Sequence, residues 1–296
     1  MLRRSATAAG LSAAALAVSS LTLLGSWSPA AAEDGAISGT VKVKIPDGWK
    51  PATLKVDKDG AACCRAVPGS AAETSPCAGK DALPDDTLVV SKDGGLANAV
   101  VFLVEAPKDG KRDWSFLKKQ LHQEVNELAN PPVVTFDQKF CQFKPHILVV
   151  PAGWSVLLAS QDPVAHNTHT FPFNNPAFNE TIPAAKLDDK GLVASRSEVG
   201  PKTDATAKGE FVKVVCDVHP WMTAYWAVME HPYVAVTDAE GKFTIDKIPA
   251  GTYKVKVWHE RFGTKLAGPK GVEVVVEAGK TAELKGLKEL PVPEQK

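Results

Sequence analysis

Several patterns are missing from this 296-residue chain, and each absence removes a class of function. No His-x-His pair occurs anywhere, so the multinuclear metal oxidase centres that need several such pairs are excluded. Neither Gly-x-Ser-x-Gly nor His-Glu-x-x-His is present, which removes the hydrolase nucleophile elbow and the zinc-protease helix. Charge of neither sign is in excess: 34 basic residues stand against 34 acidic ones, leaving no electrostatic footprint for nucleic acid. Methionine is scarce, with three in the whole chain, and this argues against a Met-rich metal-delivery surface. Beyond the N-terminal segment no run is long and apolar enough to span a bilayer.

What is present begins with a leader. Arg3 and Arg4 precede an apolar stretch from Ala6 to Leu24, and Ala30-Ala31-Ala32 offers small residues for cleavage. This reads as an export signal over 1–32, cut after Ala32, and implies a periplasmic or otherwise exported protein. The remainder is long enough for two or three small domains.

Five cysteines, Cys63, Cys64, Cys77, Cys141 and Cys216, leave one unpaired in an oxidising compartment. Cys63 and Cys64 are neighbours and would bond to each other only through a strained ring. They are therefore expected to pair separately with Cys77 and Cys141, in either order. A second metal site from Cys141 and His146 is the alternative, and it lacks the remaining ligands.

Cys216 has a reason to stay free. In Cys216-Asp217-Val218-His219-Pro220-Trp221-Met222 a thiolate, an imidazole and a thioether recur at three-residue intervals, and upstream lies Ala165-His166-Asn167-Thr168-His169. Two His nitrogens and a Cys sulfur in a plane, with a distant Met sulfur, make a type 1 copper site. The expected ligands of one copper ion are His166, Cys216, His219 and Met222. Zinc is a poor rival, because its structural sites use four Cys or His in paired spacing. A two-residue gap between Cys216 and His219 is expected to leave His219 on the lip of the barrel, with Pro220 and Trp221 as an apolar rim for electron exchange.

At these residues, from about Val133 to Val236, the chain resembles the cupredoxins, and within them the amicyanins most closely. They share the short Cys-x2-His-x2-Met loop with Pro after the His. The upstream Phe143-x-Pro145 and Pro151-Ala152-Gly153 look like the strands that lead to the first ligand. The resemblance implies that Asn167 pins the two ligand loops together. The strand Phe211-Val212-Lys213-Val214-Val215 departs from the family in lacking an aromatic two positions before the Cys. A broader likeness is to exported bacterial methylamine-utilization-like proteins.

Alternating apolar residues in Ile37 to Val43, Thr87 to Val90 and Asn98 to Val104 predict half-buried strands. Trp114, Leu117, Leu121, Val125 and Leu128 recur at helical spacing and predict one amphipathic helix at about 113–128, with Asp113 as its cap and Pro131-Pro132 beyond it. From Tyr233 the tail repeats strand and turn signals. Its Gly241-x-Phe243-x-Ile245-x-x-Ile248-Pro249-Ala250-Gly251-x-Tyr253 resembles a carboxypeptidase-regulatory or transthyretin-like domain. The expected fold class is all-β: a cupredoxin Greek-key sandwich at 133–236 and a C-terminal transthyretin-like sandwich at 237–290. An N-terminal β-rich region at 33–132 carries the one short helix.

His169 is expected at the surface or behind a ligand; Trp154, Trp221 and Trp226 as barrel filling and rim; Trp258 as core. With every metal position filled by protein, the expected role is outer-sphere electron transfer with an unidentified redox partner protein, not catalysis. The competing expectation is a non-redox envelope or carbohydrate-binding β-sandwich, with glycan contact through the C-terminal domain.

Overall fold

The computed structural model describes residues 33–66, 74–202 and 208–293, and the expected export signal lies outside the described residues. The chain from Ala32 onward forms one compact unit, nearly all β. Among the described residues no helix is long and apolar enough to cross a membrane.

Alternation in the sequence becomes facing in the strands. In Lys242–Ile248, Phe243, Ile245 and Ile248 turn inward while Lys242 and Thr244 face solvent. That strand, Gly35–Thr40 and Thr281–Glu283 form one sheet. The second sheet runs Val234–Val236, Val100–Leu103, Gly251–Trp258, Val272–Val276. Between them lie Ile37, Val101, Leu103, Ile245, Val255 and Val257, all fully buried. Each such side chain contributes roughly 1.5–3 kcal/mol of transfer free energy.

This sandwich differs from the expected division of the chain. Gly35–Thr40 pairs with Lys242–Ile248 and with Thr281–Glu283, and Val100–Leu103 sits between Val234–Val236 and Gly251–Trp258. The N-terminal region at 33–132 and the tail at 237–290 therefore share their sheets. Both N-terminal strands occupy interior positions in their sheets, so the tail strands beside them would lose their ladder partners and part of the core without them.

The other sandwich is inserted between Leu103 and Val234. One sheet has the order Asn179–Ile182, His166–Phe171, Glu210–Val215, Thr223–Met229, Ile147–Pro151. The facing sheet runs Ser197–Lys202, Ser155–Ser160, Val133–Lys139, Val125–Asn126, and Gln142–Lys144 turns back on Val133–Lys139. Two pairings are parallel, Val133–Lys139 with Ser155–Ser160 and Thr223–Met229 with Ile147–Pro151. A tight turn cannot join parallel neighbours, so the chain crosses between sheets. Phe136, Leu148, Leu158, Val214 and Trp226 fill the interior, Trp226 standing edge-on to Phe136 at 5.5 Å.

The helix expected at 113–128 is reduced to one turn, Phe116–Lys119. Phe116 and Leu117 are buried as a helix face would bury them. Beyond them His122 takes a left-handed φ of 52°, and Glu124 O accepts the Thr135 N–H at 2.9 Å. Val125–Asn126 then pairs with Val133 and Val134 as a sheet edge, leaving Leu128 98% exposed. Ladder hydrogen bonds take the backbone that a longer helix would need. Asp113 Oδ1 accepts the Ser115 N–H at 2.9 Å, a local turn ahead of the helical one.

Candidate metal centre

The centre lies where two neighbouring strands begin and end. His166 opens the strand His166–Phe171, whose His169 stands opposite Val215 of Glu210–Val215. Cys216 follows Val215 directly, and Thr223–Met229 returns alongside. The loop between is tied at its base: Cys216 N–H donates to Met222 O at 3.2 Å and Met222 N–H to His219 O at 2.9 Å.

These constraints bring three donor atoms together. His166 Nδ1 lies 2.9 Å from His219 Nδ1, and Cys216 Sγ lies 3.9 Å from each. Both imidazoles are fully buried, and Cys216 and Met222 are each 1% exposed. Asn167 links the two loops, its Oδ1 accepting the Asp217 N–H at 2.7 Å and its Nδ2 donating to Asp217 Oδ2 at 2.8 Å. His169 stands outside the trio with Nδ1 at 3.0 Å from Asp217 Oδ2.

The far nitrogens of both rings meet carboxylates. His166 Nε2 is 3.0 Å from Asp162 Oδ2, and His219 Nε2 is 3.0 Å from Asp59 Oδ2. Asp162 is fully buried and also accepts the Phe140 N–H, the Cys141 N–H and Arg65 Nη1, at 2.7, 2.8 and 2.8 Å. Burial pushes its carboxyl up, but the bonds from His166 and its other donors bring it below the usual carboxylate range. A carboxylate at Nε2 keeps the ring proton there. The two Nδ1 atoms then face each other at 2.9 Å beside the Cys216 sulfur, a donor set that either a shared proton or a metal cation can bridge.

His166 and Cys216 shift each other's protonation. Burial lowers His166, yet its bonds to Asp162 and Cys216 outweigh burial and raise it to about 9. Burial raises the Cys216 thiol, and hydrogen bonds from His166 and His219 more than offset it, bringing it to about 6.

Four of the five cysteines are bonded, Cys63 to Cys141 and Cys64 to Cys77, and Cys216 is the free one. Sulfur atoms of Cys63 and Cys141 lie within 4.8 Å of a His219 nitrogen, but as a disulfide they have no thiolate to offer. The alternative pairing of Cys141 with His146 in a metal site fails for the same reason. His146 instead sits between Glu260 and Asp86.

One sequence expectation is overturned. His219 is not on the lip: the segment Asp59–Arg65 covers it, Asp59 bonding its outer nitrogen and the Cys63–Cys141 disulfide lying against the ring. Pro220 is exposed and Trp221 half-buried, its indole N–H donating to Cys141 O at 3.1 Å. Asp59, Arg65 and Asp162 had no motif to mark them. The nearest signal was the position of Asp162 shortly before His166 in a buried strand-to-strand connection.

A family model described as polysaccharide lyase family 4, domain II, matches residues 205–284. That range takes the two strands flanking the Cys216 loop and all the tail strands from Val234–Val236 to Thr281–Glu283. No curated protein matches the chain. Among solved structures, a purple cupredoxin from Nitrosopumilus maritimus is similar at 22% identity, covering 29% of this chain and 81% of that one, with a TM-score of 0.21. The reduced Cu(I) form of an amicyanin variant is similar at 15%, covering 32% and 80%, with a TM-score of 0.24. A copper-containing nitrite reductase from Thermus scotoductus SA-01 is similar at 18%, covering 33% and 22%, with a TM-score of 0.25. The site geometry stands independently of these likenesses.

Proposed function

We propose that the chain is an exported type 1 copper protein that carries single electrons between partner proteins and is not itself an enzyme. The observation that carries this reading is the convergence of His166 Nδ1, His219 Nδ1 and Cys216 Sγ, with both Nε2 protons held outward by carboxylates. Met222, buried in the same loop, supplies the fourth ligand. Copper bound there provides a one-electron couple, since thiolate and thioether suit its +1 state and imidazole its +2 state.

The protein's part is to hold these donors still and dry. Asn167 locks one ligand loop to the other, and the strand register fixes His166 opposite the Cys216 loop. Rigid donors change little between the two oxidation states, which keeps reorganisation small. Paired structural cysteines fit an oxidising compartment, in keeping with export.

A second reading has one observation in its favour: the polysaccharide lyase domain II match suggests a β-sandwich module in carbohydrate chemistry. The aromatic that would serve sugar stacking there is occupied, because Trp258 stacks on Phe211 at 4.2 Å with 4° between the rings. The visible spectrum of copper-loaded protein separates the readings. An intense thiolate-to-copper band at roughly 600 nm is expected, and its loss in Cys216→Ser. Copper uptake without that band would refute the electron-transfer reading.

A further inference from the structure

The Asp59–Arg65 segment comes from the N-terminal part of the chain, far in sequence from every ligand, yet it reaches both imidazoles. Asp59 Oδ2 meets His219 Nε2 at 3.0 Å. Arg65 Nη1 meets Asp162 Oδ1 at 2.8 Å and Arg65 Nη2 donates to Gln161 O at 3.1 Å, so the same segment holds the carboxylate behind His166. Two disulfides anchor it, Cys63–Cys141 into the copper-bearing sandwich and Cys64–Cys77 into its own return. Asp59 adopts a left-handed backbone, φ 52° and ψ 30°, ahead of the turn Gly60–Cys63, and its carbonyl accepts the Ala62 and Cys63 N–H groups at 2.9 Å. Its side chain makes no capping bond to the turn, and the carboxylate meets His219 instead.

The chemistry of the pair is the same on both rings. A carboxylate at Nε2 fixes the tautomer, aims Nδ1 at the metal and makes the imidazole a stronger donor. A stronger donor favours the higher charge of the metal over the lower one. Two such carboxylates act in the same direction: Asp162 is fully buried, so its charge is little screened, while Asp59 is exposed on its solvent side and acts through its direct contact with the buried His219 ring.

We propose that the cystine arm is part of the metal centre, with Asp59 and Asp162 as positioning residues that fix the Nε2–H tautomers of His219 and His166 and set the reduction potential low. This inference rests on the copper reading above. It also identifies the partners the centre suits: donors of low potential, with electrons leaving to higher-potential acceptors.

Asp59 is the residue to test, because Asp162 collects too many buried hydrogen bonds to be removed cleanly. Asp59→Gly deletes the carboxylate, suits the left-handed backbone and leaves both disulfides in place. In metal-free wild-type protein, nitrogen-edited NMR should show the His219 Nε2–H as an exchange-protected ring proton. In Asp59→Gly that proton should exchange at least tenfold faster. Loaded with copper, the variant should bind Cu(II) relative to Cu(I) at least tenfold less favourably, a rise in potential of about 59 mV for a one-electron couple. The absorption band should persist, since no ligand is changed. An unchanged exchange rate overturns the proposal, as does an unchanged potential in protein that shows the band. If wild-type protein forms no band, the copper reading falls, and the proton exchange still decides whether Asp59 positions His219.

Discussion

His146, on the inserted sandwich, and Glu260, on the sandwich built from the chain ends, meet through His146 Nε2 and Glu260 Oε1 with both side chains buried. Asp86 Oδ1 stands 3.5 Å from the other nitrogen of the same ring. The interface thus holds an imidazolium between two carboxylates, with the buried His259 as the nearby ring that stays neutral, pushed down to about 3 by burial and by His146.

That cluster makes stability depend on alkaline pH. Burial lowers His146, but the bonds to Asp86 and Glu260 outweigh it and raise it to about 9. A raised histidine contributes its full stabilisation below the unfolded pKa, near 6.5, and loses it as pH rises through about 9. The contribution is on the order of 3 kcal/mol. The gap in thermal midpoint between wild type and His146→Gln should therefore be widest near pH 6 and close above pH 10. A gap of constant width would show that the imidazolium carries no weight.

Arg112 joins the same two bodies elsewhere. It is 6% exposed, donates to Asp246 at 2.7 Å and to Val234 O at 2.8 Å, reaches Pro232 O, and lies over the Phe116 ring at 4.0 Å. Asp246 is partly exposed, so the ion pair itself is screened. The larger loss in Arg112→Met would come from Val234 O left without its donor, since Pro232 O also accepts the Val234 N–H at 2.9 Å, and should total about 1–3 kcal/mol in denaturant unfolding. A loss below about 0.5 kcal/mol would place that carbonyl in contact with water.

Thiol chemistry should report the cystine arm. Metal-free, unreduced protein should yield one titratable thiol, Cys216, and peptide mapping should return Cys63–Cys141 and Cys64–Cys77. Cys63 joined to Cys77 would remove the anchor beside His219 and with it the closed form of the site.

With His219 sealed, Trp221 becomes the group to test for electron exchange. It packs against His219 at a ring distance of 5.2 Å and remains half-buried, next to exposed Pro220. Trp221→Glu should slow electron exchange with a partner about tenfold or more by desolvating a charge at the contact, with the spectrum nearly intact. Equal rates would show that partners dock elsewhere.

The approach of Cys216 to His219 is legible in the sequence because the two are close along the chain, and one antiparallel turn fixes their relation. The free Cys216 and the separate pairing of Cys63 and Cys64 were readable by counting. The carboxylates were not, because Asp59 reaches His219 only through tertiary packing and two cystines. The helix at 113–128 misled for a related reason. Trp114, Leu117 and Leu121 do face the core, but a sheet edge competes for the backbone after His122, and side-chain spacing is silent about such competition. The alternation around Ile37 and Val101 announced strands without announcing that their partners lie at the other end of the chain.

Val100–Leu103 and Val234–Val236 are antiparallel neighbours, with Phe102 opposite Val234. The chain leaves the terminal sandwich and re-enters it at adjacent positions, as a hairpin does whose turn has grown into a second body. Such a junction lets a whole unit be transplanted with two cuts and one short graft, and the host keeps its sheet. Here the exchange has a catch. The host also owns the arm that ends at Cys63, and Cys63 is bonded into the guest at Cys141. Any swap of the inserted body for another must bring a cysteine to that spot, or the host would carry an orphan thiol and the newcomer a bare histidine.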